Sequence, residues 1–93
     1  MNRTDYDKVI ERAVEIQKEW RNIPAPGRGD LIRVFGNELR DVIMPIGNAI
    51  MKDAKKIRAE AVGEVQEAID MCDFAVGLSR QLYGLTIQSE RPQ

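Results

Sequence analysis

Residues 63–80 read GEVQEAIDMCDFAVGLSR, and within them Val65, Ala68, Cys72, Ala75 and Ser79 recur at every third or fourth position. At about 100° per residue these positions share one side of a helix. The same stepping continues forward to Leu82 and backward through Ala61, Ile57, Ala54, Ile50 and Ile46 without interruption. It predicts a single helix over residues 45–82, about 37 residues and on the order of 55 Å long. Beyond Met71 that helix is apolar on further sides, with Met71, Phe74 and Leu78 facing away from the main band and Ile69 and Val76 flanking it opposite. All-round hydrophobicity of this kind indicates burial between several neighbours.

Working back toward the N-terminus, Thr4 followed by Asp7 offers a capping box, after which Val9, Ala13, Ile16 and Trp20 keep helical spacing and Ile10 and Val14 widen the stripe. This predicts a first helix over residues 5–21, stopped near Ile23 because Pro24 and Pro26 disfavour helix in the residues before them. A second helix is predicted over residues 27–43, opened by Pro26 or Asp30, with Leu31, Ile32, Phe35, Leu39 and Val42 on one side and Pro45 at its end. After Tyr83-Gly84 the tail at 83–93 is too short for a sheet of its own, and Pro92 points to a frayed end. The expected fold is therefore all-α: one domain over 1–93, three helices, the last of them about twice as long as the others. Two short helices cannot cover the third along its length, so an intertwined helical-bundle oligomer is expected.

Ninety-three residues bury only about 60 to 65% of the unfolded chain's surface, which makes stability as a lone monomer modest. The composition, 43% hydrophobic and 31% charged with a mean hydropathy of −0.39, is that of a soluble globular chain, and no apolar run is long enough to span a membrane. The N-terminus has no signal-type apolar stretch, which suggests a cytoplasmic protein. Fourteen basic residues against fifteen acidic ones give no electrostatic reason to expect nucleic acid or an anionic membrane. The largest basic cluster, Lys52 to Arg58, reads as a solvated face.

One cysteine cannot form an internal disulfide, and the absence of histidine removes the usual general base, the usual metal ligand and the usual pH switch together. Glu60, Glu64, Glu67, Asp70 and Asp73 follow one another at helical intervals and raise the question of a divalent cation, since hard cations take carboxylate oxygens. The histidines that complete helical di-metal sites are missing, so the series reads as a hydrated acidic face. Cys72 sits in the apolar band with no histidine or lysine to stabilise a thiolate, and reads as a small core hydrophobe rather than a nucleophile. Gly27-Arg28-Gly29 follows prolines rather than a strand, so it does not read as a dinucleotide turn. No catalytic residue, metal or cofactor is expected.

Taken with Trp20-Arg-Asn-Ile-Pro-Ala-Pro and the closing Ser89-Glu-Arg-Pro92, the stretch at 63–80 resembles the N-terminal helical region of aldehyde dehydrogenases, in the branch that oxidises α-aminoadipic semialdehyde. The resemblance runs without gaps from Trp20 to Pro92. It implies that the chain stops where the family's dinucleotide-binding sheet would begin, short of its nucleophilic cysteine, its general base and its NAD site. It also implies that Glu67 matches the glutamate that helps to bind the substrate's amino group in that branch; without the rest of that pocket, Glu67 reads here either as a relic ligand contact or as ordinary surface or interface polarity. The family's Glu-Met-Gly-Lys segment, which ends one helix before the next begins, is replaced by Asp53-Ala-Lys-Lys56. Lys55 stands in place of the glycine and Ala61 in place of another, and each such replacement favours helix by roughly 0.5 to 1 kcal/mol.

The function expected from these observations is a non-catalytic helical interaction or oligomerisation module. Its partners would be a second copy of the chain, as a homodimer or higher oligomer, or an intact dehydrogenase subunit, with Trp20, Phe35, Val65, Met71, Cys72, Phe74, Leu78 and Leu82 in its core or interface. The alternatives are a truncated piece of an NAD-dependent semialdehyde dehydrogenase and a helical protein that binds a small molecule between its helices.

Overall fold

The computed structural model describes residues 1–92 and contains four helices: α1 (Arg3–Trp20), α2 (Ala25–Asp41), α3 (Ile43–Ala54) and α4 (Arg58–Leu78). No strand occurs among the described residues. The last residue of the expected irregular tail, Gln93, lies outside them.

Local chemistry accounts for most of the boundaries. A capping box opens α1 two residues earlier than expected: the Asp5 amide donates to Asn2 Oδ1 at 2.9 Å, and the Asn2 amide donates back to Asp5 Oδ2. Pro24 closes the α1–α2 connection, and Pro26 sits in the first turn of α2, where its missing N–H has no helical partner to lose. The guanidinium of Arg28 donates to the Ile23 carbonyl at 2.9 Å and ties this connection down. Between α2 and α3 the break falls at Val42 rather than at Pro45. Pro45 is instead absorbed into the first turn of α3, again among amides that no helix bonds.

The single long helix expected over 45–82 is two helices. Residues 55–57 are non-helical, and Lys55 takes the left-handed conformation at φ 54° and ψ 42°. The helix-favouring replacements contribute about 1 kcal/mol each at most, and the left-handed residue itself costs roughly 1–2 kcal/mol. Turning the chain back outweighs both. It lays α4 along α2 and α3 and buries Ala61, Val65, Ile69 and Cys72; complete burial of Ile69 alone stabilises by about 1.5–3 kcal/mol.

Three glycines permit this approach. A Cβ on Gly29 would lie 3.0 Å from Ser79 Cβ, one on Gly36 would lie 3.0 Å from Cys72 Cβ, and one on Gly47 would lie 2.9 Å from Val62 Cγ2. As the number rises along α2 and α3 it falls along α4, so α4 runs antiparallel to both and crosses the bend at Val42. Buried positions on α4 centre on Ala61, Val65, Ile69 and Cys72, whereas Ala68 and Ala75 are exposed. The inward stripe is thus rotated from the expected band toward Ile69 and half-buried Val76.

α1 contributes no buried residue. The molecule extends 57 × 34 × 28 Å with a radius of gyration of 18.5 Å, where a compact domain of this length has about 12 Å. No helix among the described residues is long and apolar enough to cross a membrane.

Candidate functional site

The chemistry-bearing side chains singled out in the sequence do not converge. Glu64 pairs with Lys56 across the α3–α4 turn. Asp73 accepts from Arg40 Nη2 at 2.5 Å, linking α4 to α2, while Arg40 Nη1 donates to Asn37 Oδ1 at 2.6 Å. Asp70 accepts from Gln66 Nε2 at 2.9 Å within α4. Glu67 is exposed. Three of the five acidic side chains, Glu64, Asp70 and Asp73, are thus taken up by separate basic or amide partners, and no three His, Cys, Asp or Glu side chains gather as a metal-holding group among the described residues. The ammonium of Lys56 titrates above the ordinary lysine value near 10.5, first because it donates to Glu64 and then because of the charges of Glu64 and Glu60.

Cys72 is a free, buried thiol packed against the α2 backbone at Gly36. The Gly27-Arg28-Gly29 turn lies inside the first turns of α2, and Gly29 is buried against the side chain of Ser79. A pyrophosphate needs open backbone amides between a strand and a helix. These residues do not fit a dinucleotide.

What the fold presents is apolar surface on several sides. The inner row of α2 is Gly29, Ile32, Gly36 and Leu39, buried or half-buried against α4. The sequence had grouped Leu31 and Phe35 with Ile32 and Leu39, but Leu31, Val34 and Phe35 face outward and with Glu38 line an open hollow of about 530 Å³. On α4, Met71 and Phe74 are exposed on the side away from the glycine contacts, Phe74 by 59%, and Leu78 is exposed at the rim of a second hollow that Gly29 and Ser79 also line. This hollow, of about 270 Å³, is lined by Trp20, Ile32, Ala75 and Leu82 among others. Along α1, Val9, Ile10, Val14 and Ile16 are all exposed.

Of the residues expected in a core or interface, Val65 and Cys72 are buried, Trp20 is half-buried, and Phe35, Met71, Phe74, Leu78 and Leu82 are exposed. Sequence reasoning missed Ile69 as the most deeply buried large side chain. It also missed Gly29, Gly36 and Gly47 as the surface α4 packs on. The signal was present in the seven-residue interval from Gly29 to Gly36, two glycines on one side of a helix otherwise rich in large apolar residues.

A helical chain with this sequence falls within one family of oxidoreductases. The aldehyde dehydrogenase family model matches residues 1–93, and the chain belongs to that family. Among curated relatives, aldehyde dehydrogenase family 7 member A1 of Pisum sativum is 49% identical over 89 residues, which is 96% of this chain and 18% of that protein. Family 7 member B4 of Arabidopsis thaliana is 50% identical over 88 residues, 95% of this chain and 17% of that protein. Alpha-aminoadipic semialdehyde dehydrogenase of Bos taurus is 46% identical over 88 residues, 95% of this chain and 16% of that protein. The chain therefore spans between 16% and 18% of the length of these relatives.

Proposed function

We propose that this chain is a non-catalytic helical interaction module of an aldehyde dehydrogenase, seated through its apolar faces against protein. The protein it meets is a second copy of the chain or an intact dehydrogenase subunit. The observation that carries this reading is the mismatch between core and surface. The buried hydrophobic core is Ala61, Val65, Ile69 and Cys72, while Leu31, Phe35, Met71, Phe74 and four apolar side chains of α1 stand in solvent. Large side chains on several sides of an 18.5 Å radius molecule mark surfaces that another protein covers. Met71, Phe74 and Leu78 are the contact residues on α4.

In this setting oxidation of a substrate such as α-aminoadipic semialdehyde, with NAD accepting the hydride, belongs to the rest of a dehydrogenase. Glu67 falls seven residues before Phe74 on the outer, exposed side of α4, and a role in holding a substrate's amino group would need the rest of a dehydrogenase around it. The purified chain is expected to reduce no NAD with α-aminoadipic semialdehyde or simpler aldehydes. Light scattering after gel filtration, with the chain alone and with a family 7 dehydrogenase, is expected to show a self-associated or mixed species. Aldehyde-dependent NAD reduction by the chain alone, lost on Cys72→Ala, would overturn the proposal.

A further inference from the structure

The turn between α3 and α4 is made of residues suited to a helix interior. Lys55, Lys56 and Ile57 include neither glycine nor proline, yet they are the three non-helical residues between Ala54 and Arg58. Lys55 has the only positive φ of any non-glycine residue among those described. That conformation presses its Cβ toward the following carbonyl and normally falls to glycine or asparagine. Helical spacing of apolar residues runs across the turn through Ile50, Ala54, Ile57 and Ala61. The surface that receives α4, lined by Gly29, Gly36 and Gly47, is one that every other copy of the chain also carries.

We propose that α4 is exchanged between two copies of this chain, the turn at 55–57 taking up helical conformation so that each α4 packs on α2 and α3 of the other copy. The proposal rests, for its partner, on the self-association put forward above. On exchange Lys55 leaves the left-handed region and the Lys56–Glu64 pair within the chain is given up. The approaches of Gly29 to Ser79, Gly36 to Cys72 and Gly47 to Val62, and the Arg40–Asp73 pair, re-form between copies. Closed and exchanged forms then share one buried interface and differ mainly at the turn, which is the condition under which swapping is a low-cost route to a dimer. A residue that prefers the left-handed region favours the closed form, and one that prefers helix favours the exchanged form.

Two measurements on the full chain test this. Sedimentation velocity of the unsubstituted chain, Lys55→Gly and Lys55→Ala is expected to give a dimer fraction that rises from glycine through lysine to alanine, with a several-fold change in dissociation constant between the two variants. Separately, Gly36→Cys places a second thiol beside native Cys72, its Cβ needing only a small shift from 3.0 Å to the separation a disulfide takes. Refolding a mixture of ordinary and isotope-labelled Gly36→Cys chains and then oxidising it is expected to yield covalent dimers of mixed isotope, found by mass spectrometry without reductant. A dimer insensitive to residue 55, with the disulfide formed only within chains, would overturn the exchange while leaving self-association standing. A monomer at every concentration would overturn both. If Gly36→Cys loses its helical circular dichroism, the ordering of the residue 55 variants decides alone.

Discussion

Gly36 and Gly63 both lie inside helices, and their surroundings give them opposite roles. A methyl group on Gly36 meets Cys72 Cβ at 3.0 Å, and that atom is fixed to its own backbone and cannot swing aside. Overpacking of this kind costs about 1–3 kcal/mol, against about 1 kcal/mol of helix propensity gained. Gly36→Ala is therefore expected to lower the urea midpoint, by up to about 2 kcal/mol of stability. A Cβ on Gly63 meets nothing within 4 Å, so Gly63→Ala is expected to raise stability by about 0.5–1 kcal/mol in the same titration. Equal shifts in one direction from both substitutions would contradict the placement of α4. Neither role was legible beforehand. A glycine in a helical pattern reads as a weak point, and only the partner helix shows whether the missing side chain makes room for something.

At the level of elements, the sequence read well wherever the decisive chemistry was local. Pro24 and Pro26 set the α1–α2 connection, and helical spacing placed the helices themselves. The α3–α4 turn was not legible because its cause is not local: Lys55 and Ala61 favour helix, and the chain bends because α4 has a surface on α2 and α3 to cover. The same reason rotates the inward stripe of α4 from Ala68 and Ala75 to Ile69 and Val76. The Lys56–Glu64 pair holds the closed turn from outside. Its lysine titrates above the ordinary value near 10.5, so the pair's contribution is fully present below that value and is lost as pH rises through the raised one. A pH series of thermal unfolding is expected to fall at this alkaline end in the unsubstituted chain and to fall less in Lys56→Gln, where no charge remains to be lost. Identical alkaline behaviour of the two would remove the pair from the account.

For the molecule as a whole, the all-helical class and the family were both readable from the stretch at 63–80 and its neighbours. Which apolar residues would be covered was not readable. Phe35 and Phe74 satisfy the pattern of core residues, yet a chain extending 57 Å lacks the neighbours to enclose them. Since Phe74 is 59% exposed, Phe74→Ala is expected to leave helicity and protomer stability nearly unchanged while weakening association several-fold. A loss of about 3–5 kcal/mol, the amount expected for a fully buried phenylalanine, would mean that it is enclosed within the protomer after all. The most direct test of the central claim, that these faces are covered by protein, is sedimentation equilibrium of the 10.6 kDa chain across the micromolar range. The account predicts an average mass that climbs above that of the single chain as concentration rises, with unfolding midpoints that climb with it. A mass fixed at that of one chain, with cooperative unfolding independent of concentration and no complex with a family 7 dehydrogenase, would contradict it.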